Sequence, residues 1–384
     1  MASAMTEARS AEVPEESAVA RSALPCALRL APDALCLAPC ALRLFLCYTP
    51  LMRAMVLDQP RPAEQDPLQL RDVPLPTPGP GEIRLRVRCC GVCRTDLHIV
   101  EGDLSLPKLP VIPGHQIVGI VDALGAGVSQ FRQGDRAGVP WLYSTDGTCA
   151  YCHRGQENLC DQARFTGFHT DGGYAEAVIV RQDFAYSIPA HFDDQHAAPL
   201  LCAGVIGFRS LRLSGAHRGD RLGMYGFGGS AHIVLQMARH LGIEVVVFTR
   251  SAAHRELATS LGAAWTGTTQ EASPGPLDAA IIFAPAGPLV PEALRAIRKG
   301  GTVALAGISM TQIPAMDYDL LYHEHVLRSA ANSTRDDVRD CLRLAAEVPV
   351  KTQVQVFALE QANQALHDLK HSRIDGAAVL RISL

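Results

Sequence analysis

Residues 221–249, "RLGMYGFGGSAHIVLQMARHLGIEVVVFT", decide the fold. A short apolar run at 222–225 breaks into Gly226-x-Gly228-x-x-Ala231, with Gly229 inside the motif. Apolar residues then recur at Ile233, Val234, Met237, Ala238 and Leu241, the spacing of one helical face. A second apolar run, "EVVVFT", closes the stretch. Strand, glycine turn, helix and strand in that order predict a βαβ unit. Glycines there permit a tight turn and close approach of the backbone to a diphosphate, which the helix N-terminus then faces. A plain βα turn can carry the same letters. The placement between a strand and a helix is what makes the motif a dinucleotide-binding signature.

The pattern continues outward. "AAIIFA" at 279–284 and "GTVALAGI" at 301–308 are further short apolar runs, separated by helical segments. Residues 203–329 therefore predict a doubly wound parallel sheet of Rossmann type. Residues 52–202 have another character, dense in glycine, proline and short β runs. From Glu82, "EIRLRVRCCGVC" alternates Ile83, Leu85, Val87 and Cys89, which predicts a half-buried strand in an irregular β-rich domain. Residues 330–384 return to that domain with a helix over "RDDVRDCLRLAAE" and a closing strand, "GAAVLRISL". The fold class is α/β, a β-rich domain joined to a dinucleotide-binding one.

In the NAD version of this fold an acidic residue about 20 positions past the glycines meets the adenosine ribose. Here the end of the second strand offers Thr249, Arg250 and Ser251. No carboxylate stands there to repel a 2′-phosphate, and an arginine is available to pair with one. The preference leans to NADP over NAD.

Residues 144–160, "STDGTCAYCHRGQENLC", gather Cys149, Cys152 and Cys160, with Asp146 three positions ahead. The spacing D-x2-C-x2-C-x7-C can wrap one tetrahedral zinc, with the carboxylate as the fourth ligand. Bare thiols clustered at a surface would be an oxidation liability. Other metal-type residues are dispersed: Cys93 and His98 in "GVCRTDLHIVEGD", His115 in "PVIPGHQIVG" and Cys202 in "APLLCAG". Spacing alone cannot join them.

Composition narrows the field. The 384 residues are 48% hydrophobic and 19% charged, with a formal net charge of −4. That balance provides no basic field for nucleic acid, and no apolar run reaches the length of a membrane-spanning helix. The 12 cysteines are clustered rather than spread as a disulfide framework. Four of them, Cys26, Cys36, Cys40 and Cys47, fall in residues 1–51. That segment contains "ALCLAPCALRLFLC", but Pro39 and Arg43 interrupt it and no small-residue cleavage site follows. The expectation is a disordered or loosely helical, dispensable extension on a cytoplasmic protein.

The motifs "GVCRTDLH", "PGHQIVG", "CAYCHRGQENLC", "DGGYAEAV", "PLLCAGVIGF", "YGFGGSA" and "KGGTVALAGI" stand in one order along the chain. Together they resemble the zinc-dependent alcohol dehydrogenases of the medium-chain dehydrogenase/reductase family, from about Met52 to the C-terminus. The resemblance implies a GroES-like catalytic domain at 52–202 and 330–384. It implies that Cys93, His115 and Cys202 hold a catalytic zinc with one open position, and that Asp146, Cys149, Cys152 and Cys160 hold a structural one, two zincs per chain. It further implies that Thr95 takes the substrate proton, that His98 relays it outward and that Asp96 orients His115. Arg94 would meet the cofactor diphosphate. The substrate would be a small alcohol or aldehyde, and the assembly a homodimer or homotetramer.

Two positions depart from the family pattern. Asp146 stands where the first of four cysteines is usual, and Gln116 follows His115 where a glutamate is usual. The loss of that carboxylate changes the charge around the zinc by one. Two other readings remain at this point: a zinc-free quinone or enone reductase of the same family, and a non-catalytic nucleotide-binding redox sensor.

Overall fold

The computed structural model describes residues 50–271, 273–348 and 350–383. The expected extension lies outside them except for Pro50 and Leu51, and so do Cys26, Cys36, Cys40 and Cys47. At Leu51 the expectation is corrected. This residue opens strand Leu51–Leu57, which pairs antiparallel with Leu68–Pro74. Leu51 points outward while Met52 is buried, so its apolar side chain carried no strand signal.

Six parallel strands form one sheet, in the order Trp265–Gly267, Glu244–Phe248, Arg221–Tyr225, Leu277–Ile282, Ile297–Leu305 and Val326–Ser329. The order reverses beside Arg221–Tyr225, and open α/β sheets bind ligands at such a switch point. The central strands are apolar along most of their length because helices cover both faces. Val245 and Val247 enter one core with Met224 and Ile281, whereas Val246 and Phe248 enter another with Tyr225 and Ile282.

Helix Ala231–His240 leaves the glycine turn and buries Ile233, Val234, Met237 and Ala238. Leu241 does not join that face. The helix stops at His240, and Leu241 is exposed beside the turn at Gly242.

A seven-stranded, mostly antiparallel sheet is centred on Glu82–Val92, flanked by Ala377–Arg381 and Gln116–Leu124. Ile83, Leu85, Val87 and Cys89 are buried as expected, but so are Cys90 and Val92. The strand is half-buried only at its start. Near Cys93 both faces are covered, Cys89 by one core and Cys90 by another.

Helices flanking the parallel sheet share a core with the antiparallel sheet. Helix Ala203–Ser214 packs on helix Arg335–Glu347, joining Val205 and Phe208 to Val338 and Cys341. Thr334 and Asp337 form a capping box at the start of the second helix, and Arg209 and Arg212 pair with the buried Asp337. Cys202 sits at this junction.

Candidate active site

Cys93 ends the central antiparallel strand in an extended conformation and caps helix Arg94–Glu101. Its backbone N–H donates to Asp96 Oδ2 at 2.9 Å, so the helix start fixes the cysteine. His115 follows Gly114, whose φ of +98° suits glycine. A Cβ at Gly114 would lie 2.4 Å from the Tyr174 ring. The loop at 171–174 grips the histidine loop through Gly172 N–H to Ile112 O at 2.7 Å, Gly173 N–H to Gly114 O at 2.9 Å and Tyr174 N–H to Pro113 O at 3.0 Å. Cys202 lies between the short helix Ala198–Leu201 and helix Ala203–Ser214.

These three elements bring three donor atoms together. Cys93 Sγ lies 3.3 Å from His115 Nε2 and 3.9 Å from Cys202 Sγ, and His115 Nε2 lies 3.4 Å from Cys202 Sγ. A tetrahedral zinc with bonds of about 2.3 Å to sulfur and about 2.0–2.1 Å to nitrogen sets S···S edges near ~3.8 Å and S···N edges near ~3.5 Å. The donor set therefore fits zinc. Asp96 Oδ1 lies 3.2 Å from His115 Nδ1, and both residues are fully buried. Burial opposes the imidazolium, but Asp96 and Cys93 outweigh it and hold the ring's pKa at about 10. Hydrogen bonding from Cys202 and burial push the Cys93 thiol well above its ordinary range. A divalent cation reverses that balance, because a coordinating thiol is deprotonated.

The ring of Trp141 meets His115 edge-on at 4.6 Å between centroids and stacks on Phe165 at 5.1 Å. Gln116 is buried beside Gly91, where an added Cβ would meet its side chain at 2.7 Å. Thr95 lies in the first turn of the helix that Cys93 caps, with His98 one turn on. His98 Nδ1 lies 2.7 Å from Asp103 Oδ2. Arg94 is exposed at the helix start.

The second cluster is also assembled. Asp146, Cys149, Cys152 and Cys160 each offer one ligand atom within 4.8 Å of all the others. Asp146 Oδ1 accepts from the N–H groups of Thr148 at 2.8 Å and Cys149 at 3.0 Å, which leaves its other oxygen for an ion. Those hydrogen bonds hold its carboxyl far below the usual range.

At the glycine turn, Gly226 has φ +88° and its N–H donates to Phe248 O at 2.8 Å. A Cβ there would meet Ala284 at 2.9 Å, across the switch point. Over Gly228 the space is open to 4 Å, and Ser230 gives the following helix no side-chain cap. Ala231 and its neighbours thus begin a helix whose N-terminus is free for an anion. Gly229 is likewise open except toward Gly376 O at 3.4 Å.

Beyond the second strand, Thr249 N–H donates to Gly267 O at 2.8 Å, and Arg250 is exposed. Ser251 is taken up as the cap of helix Ala252–Ser260, its Oγ accepting from His254 N–H at 3.3 Å. Arg255 Nη1 reaches the carbonyls of Thr249 at 2.9 Å and Arg250 at 3.1 Å.

Sequence reasoning missed Trp141, Tyr174, Asp103 and Arg255. Asp103 acts through the nearby His98 side chain, and the others through partners distant in sequence or through backbone carbonyls. Tyr174 and Asp103 lay within quoted stretches, "DGGYAEAV" and "GVCRTDLHIVEGD", without a role being read for either.

Comparison with known proteins agrees with this geometry. Residues 79–190 match the family model of the alcohol dehydrogenase GroES-like domain, and 229–347 match that of the zinc-binding dehydrogenase. The chain is 47% identical over 340 residues to the probable alcohol dehydrogenase AdhA of Mycobacterium tuberculosis, covering 87% of this chain and 98% of that one. It is 36% identical to an alcohol dehydrogenase of Geobacillus stearothermophilus, over 86% of this chain and all of the other. The cobalt- and zinc-bound thermostable alcohol dehydrogenase from Pyrobaculum aerophilum has a similar structure. The two superpose with a TM-score of 0.80 at 26% identity, over 86% of this chain and all of that one.

Proposed function

The chain belongs to the zinc-dependent alcohol dehydrogenases of the medium-chain dehydrogenase/reductase family, and we propose that Cys93, His115 and Cys202 are the ligands at its reaction centre. The protein is an oxidoreductase that interconverts an alcohol and an aldehyde or ketone with NAD(P). The observation that carries the ligand assignment is the mutual approach of Cys93 Sγ, His115 Nε2 and Cys202 Sγ, with Asp96 behind His115. A zinc-free quinone or enone reductase has no use for three converging donors.

When bound, zinc acts there as a Lewis acid that acidifies a substrate hydroxyl, and the nicotinamide takes or gives the hydride. The chain's own residues do the rest. Asp96, whose carboxylate faces His115 Nδ1, favours the tautomer protonated there and so leaves Nε2 as a donor lone pair. Thr95 Oγ1 receives the hydroxyl proton. His98, its Nδ1 held by Asp103, passes the proton outward from Nε2. Trp141 walls the substrate side and excludes water. Arg94 and the turn at Gly226, Gly228, Gly229 and Ala231 bind the cofactor diphosphate. The adenosine end rests at Thr249, Arg250 and Ser251, where the available cation and the missing carboxylate favour NADP.

A second zinc, the structural one, is assigned to Asp146, Cys149, Cys152 and Cys160. The catalytic domain comprises 52–202 and 330–384, and the cofactor domain 203–329. This reading describes a cytoplasmic homodimer or homotetramer acting on small alcohols and aldehydes. Among the described residues no single helix is long and apolar enough to cross a membrane.

The test is zinc content with cofactor-linked activity. The parent should hold two zincs per chain and reduce NADP with an alcohol. Cys93→Ser and Cys202→Ser should each lose one zinc and nearly all turnover while remaining folded. Full turnover in either variant would refute the ligand assignment.

A further inference from the structure

A third group of metal-type donors lies apart from both clusters. Glu64, His367 and His371 each present one ligand atom within 4.8 Å of the others. His367 and His371 are spaced i, i+4 at the end of helix Ala362–Lys370, with ring centroids 4.5 Å apart. That spacing sets two imidazoles on one helical face, an arrangement suited to a shared divalent ion. The helix C-terminus adds its own attraction for a cation.

The third donor is held in place independently. Glu64 lies in the short turn Ala63–Gln65. Asn363 pins the adjoining strand to the helix, accepting from Leu68 N–H at 3.1 Å and donating to Leu68 O at 2.9 Å. Lys370 Nζ donates to Glu64 Oε2 at 2.8 Å and to Glu101 Oε1 at 2.7 Å, and Ala63 N–H donates to Glu101 Oε1 at 3.0 Å. Glu64 Oε1 is left facing His371 Nε2 at 3.3 Å. A tetrahedral ion with bonds of about 2.0–2.1 Å to nitrogen and about 2.0–2.2 Å to oxygen requires an N···O edge near ~3.4 Å.

We propose that Glu64, His367 and His371 form a peripheral site for a divalent transition cation, which clamps the turn Ala63–Gln65 to the end of helix Ala362–Lys370. Two imidazoles and one carboxylate select zinc, nickel or copper over magnesium or calcium. The positive charge of Lys370 opposes the ion and the negative charge of Glu101 compensates, so the site is exchangeable rather than permanent. Clamping is the role assigned, since Glu101 already ties this turn to the far end of the helix that Cys93 begins.

The test is a calorimetric titration of untagged, zinc-replete, full-length protein with Ni2+, read as the difference between the parent and His367→Ala/His371→Ala. The parent should bind one more ion per chain than the double variant and should show a higher thermal midpoint in Ni2+. Millimolar Mg2+ should do neither. The single variant His371→Asn, a milder change, should already remove the extra ion. Glu64→Gln should weaken it several-fold. Alcohol oxidation by the zinc-loaded variants should match the parent. Equal Ni2+ uptake by the parent and the histidine variants would overturn the site. Unchanged affinity in Glu64→Gln would overturn the clamp.

Discussion

Asp96 Oδ1 faces His115 Nδ1 at 3.2 Å inside a wholly buried environment, and neither atom has another partner. A buried charge paired to a metal-ligand imidazole acts on the metal through the ring. Asp96 also accepts from the Cys93 N–H with its other oxygen, so one carboxylate positions two of the proposed ligands.

Asp96→Asn separates these roles, because the amide oxygen can still accept from Cys93 N–H while the charge is lost. Zinc should then leave to a chelator faster, by roughly 10–100-fold. Turnover should fall while the KM for cofactor stays near the parent value. Dye-monitored zinc release checks the first expectation and steady-state kinetics the second. Parent-like zinc release would show that the charge behind His115 is idle.

Asp146 stands in a position that is usually cysteine, and its Oδ1 is occupied by two backbone N–H groups. Asp146→Asn keeps an acceptor for those groups and removes the charge, whereas Asp146→Ala removes both. Zinc retention should fall in the order parent, Asn, Ala. The alanine variant should hold one zinc per chain and unfold at a lower temperature. Mass spectrometry under native conditions reads the stoichiometry directly.

The proposed NADP preference rests on Arg250 rather than Arg255. The latter spends its guanidinium on the carbonyls of Thr249 and Arg250, whereas Arg250 is exposed with its side chain available. A charged hydrogen bond to a 2′-phosphate contributes on the order of 1.5–3 kcal/mol. Arg250→Ala should therefore lower kcat/KM for NADP by about 10–100-fold and leave NAD within about 2-fold. Arg255→Ala should impair both cofactors alike. Equal losses for NAD and NADP in Arg250→Ala would remove the basis for an NADP preference.

Much of the molecule was legible before the fold was seen. The parallel sheet announced itself because buried strands such as Glu244–Phe248 are apolar after their first residue. Its sixth strand, Val326–Ser329, did not, because an edge strand is mostly exposed and carries no alternation. His323 and His325, just before it, fall in none of the motifs quoted above. His325 proves to bridge the carbonyls of Leu320 at 2.7 Å and Arg298 at 3.1 Å, a packing task invisible to any motif. The cluster of Asp146, Cys149, Cys152 and Cys160 was legible from spacing, since its donor residues lie within one loop. Cys93, His115 and Cys202 were not, because their meeting depends on a strand end, a glycine turn and a helix junction. Only resemblance to a family joined them in advance. Supporting residues such as Trp141 and Asp103 escaped because their roles exist only in contact.

His232 supplies a stability signal that titrates in an accessible range. It is buried in the first turn after the glycine loop, with Nδ1 at 3.2 Å from Gly228 O and Nε2 accepting from Gln353 N–H at 3.3 Å. Burial pushes its pKa down to about 4, from an ordinary 6.5. Between those values the unfolded chain binds the proton and the folded chain does not, so stability rises with pH across that window. The contribution is fully present above 6.5 and is lost as pH falls toward 4, a loss of about 3 kcal/mol at most. His232→Gln can still meet Gln353 N–H without titrating. It should be less stable than the parent at pH 7 but should flatten the slope of stability against pH by roughly 1.4 kcal/mol per pH unit within the window. Urea unfolding midpoints at half-unit steps through the window measure this. Parallel curves for parent and variant would mean that the folded protein accommodates the charged ring, and that this histidine does not couple the phosphate loop to acid.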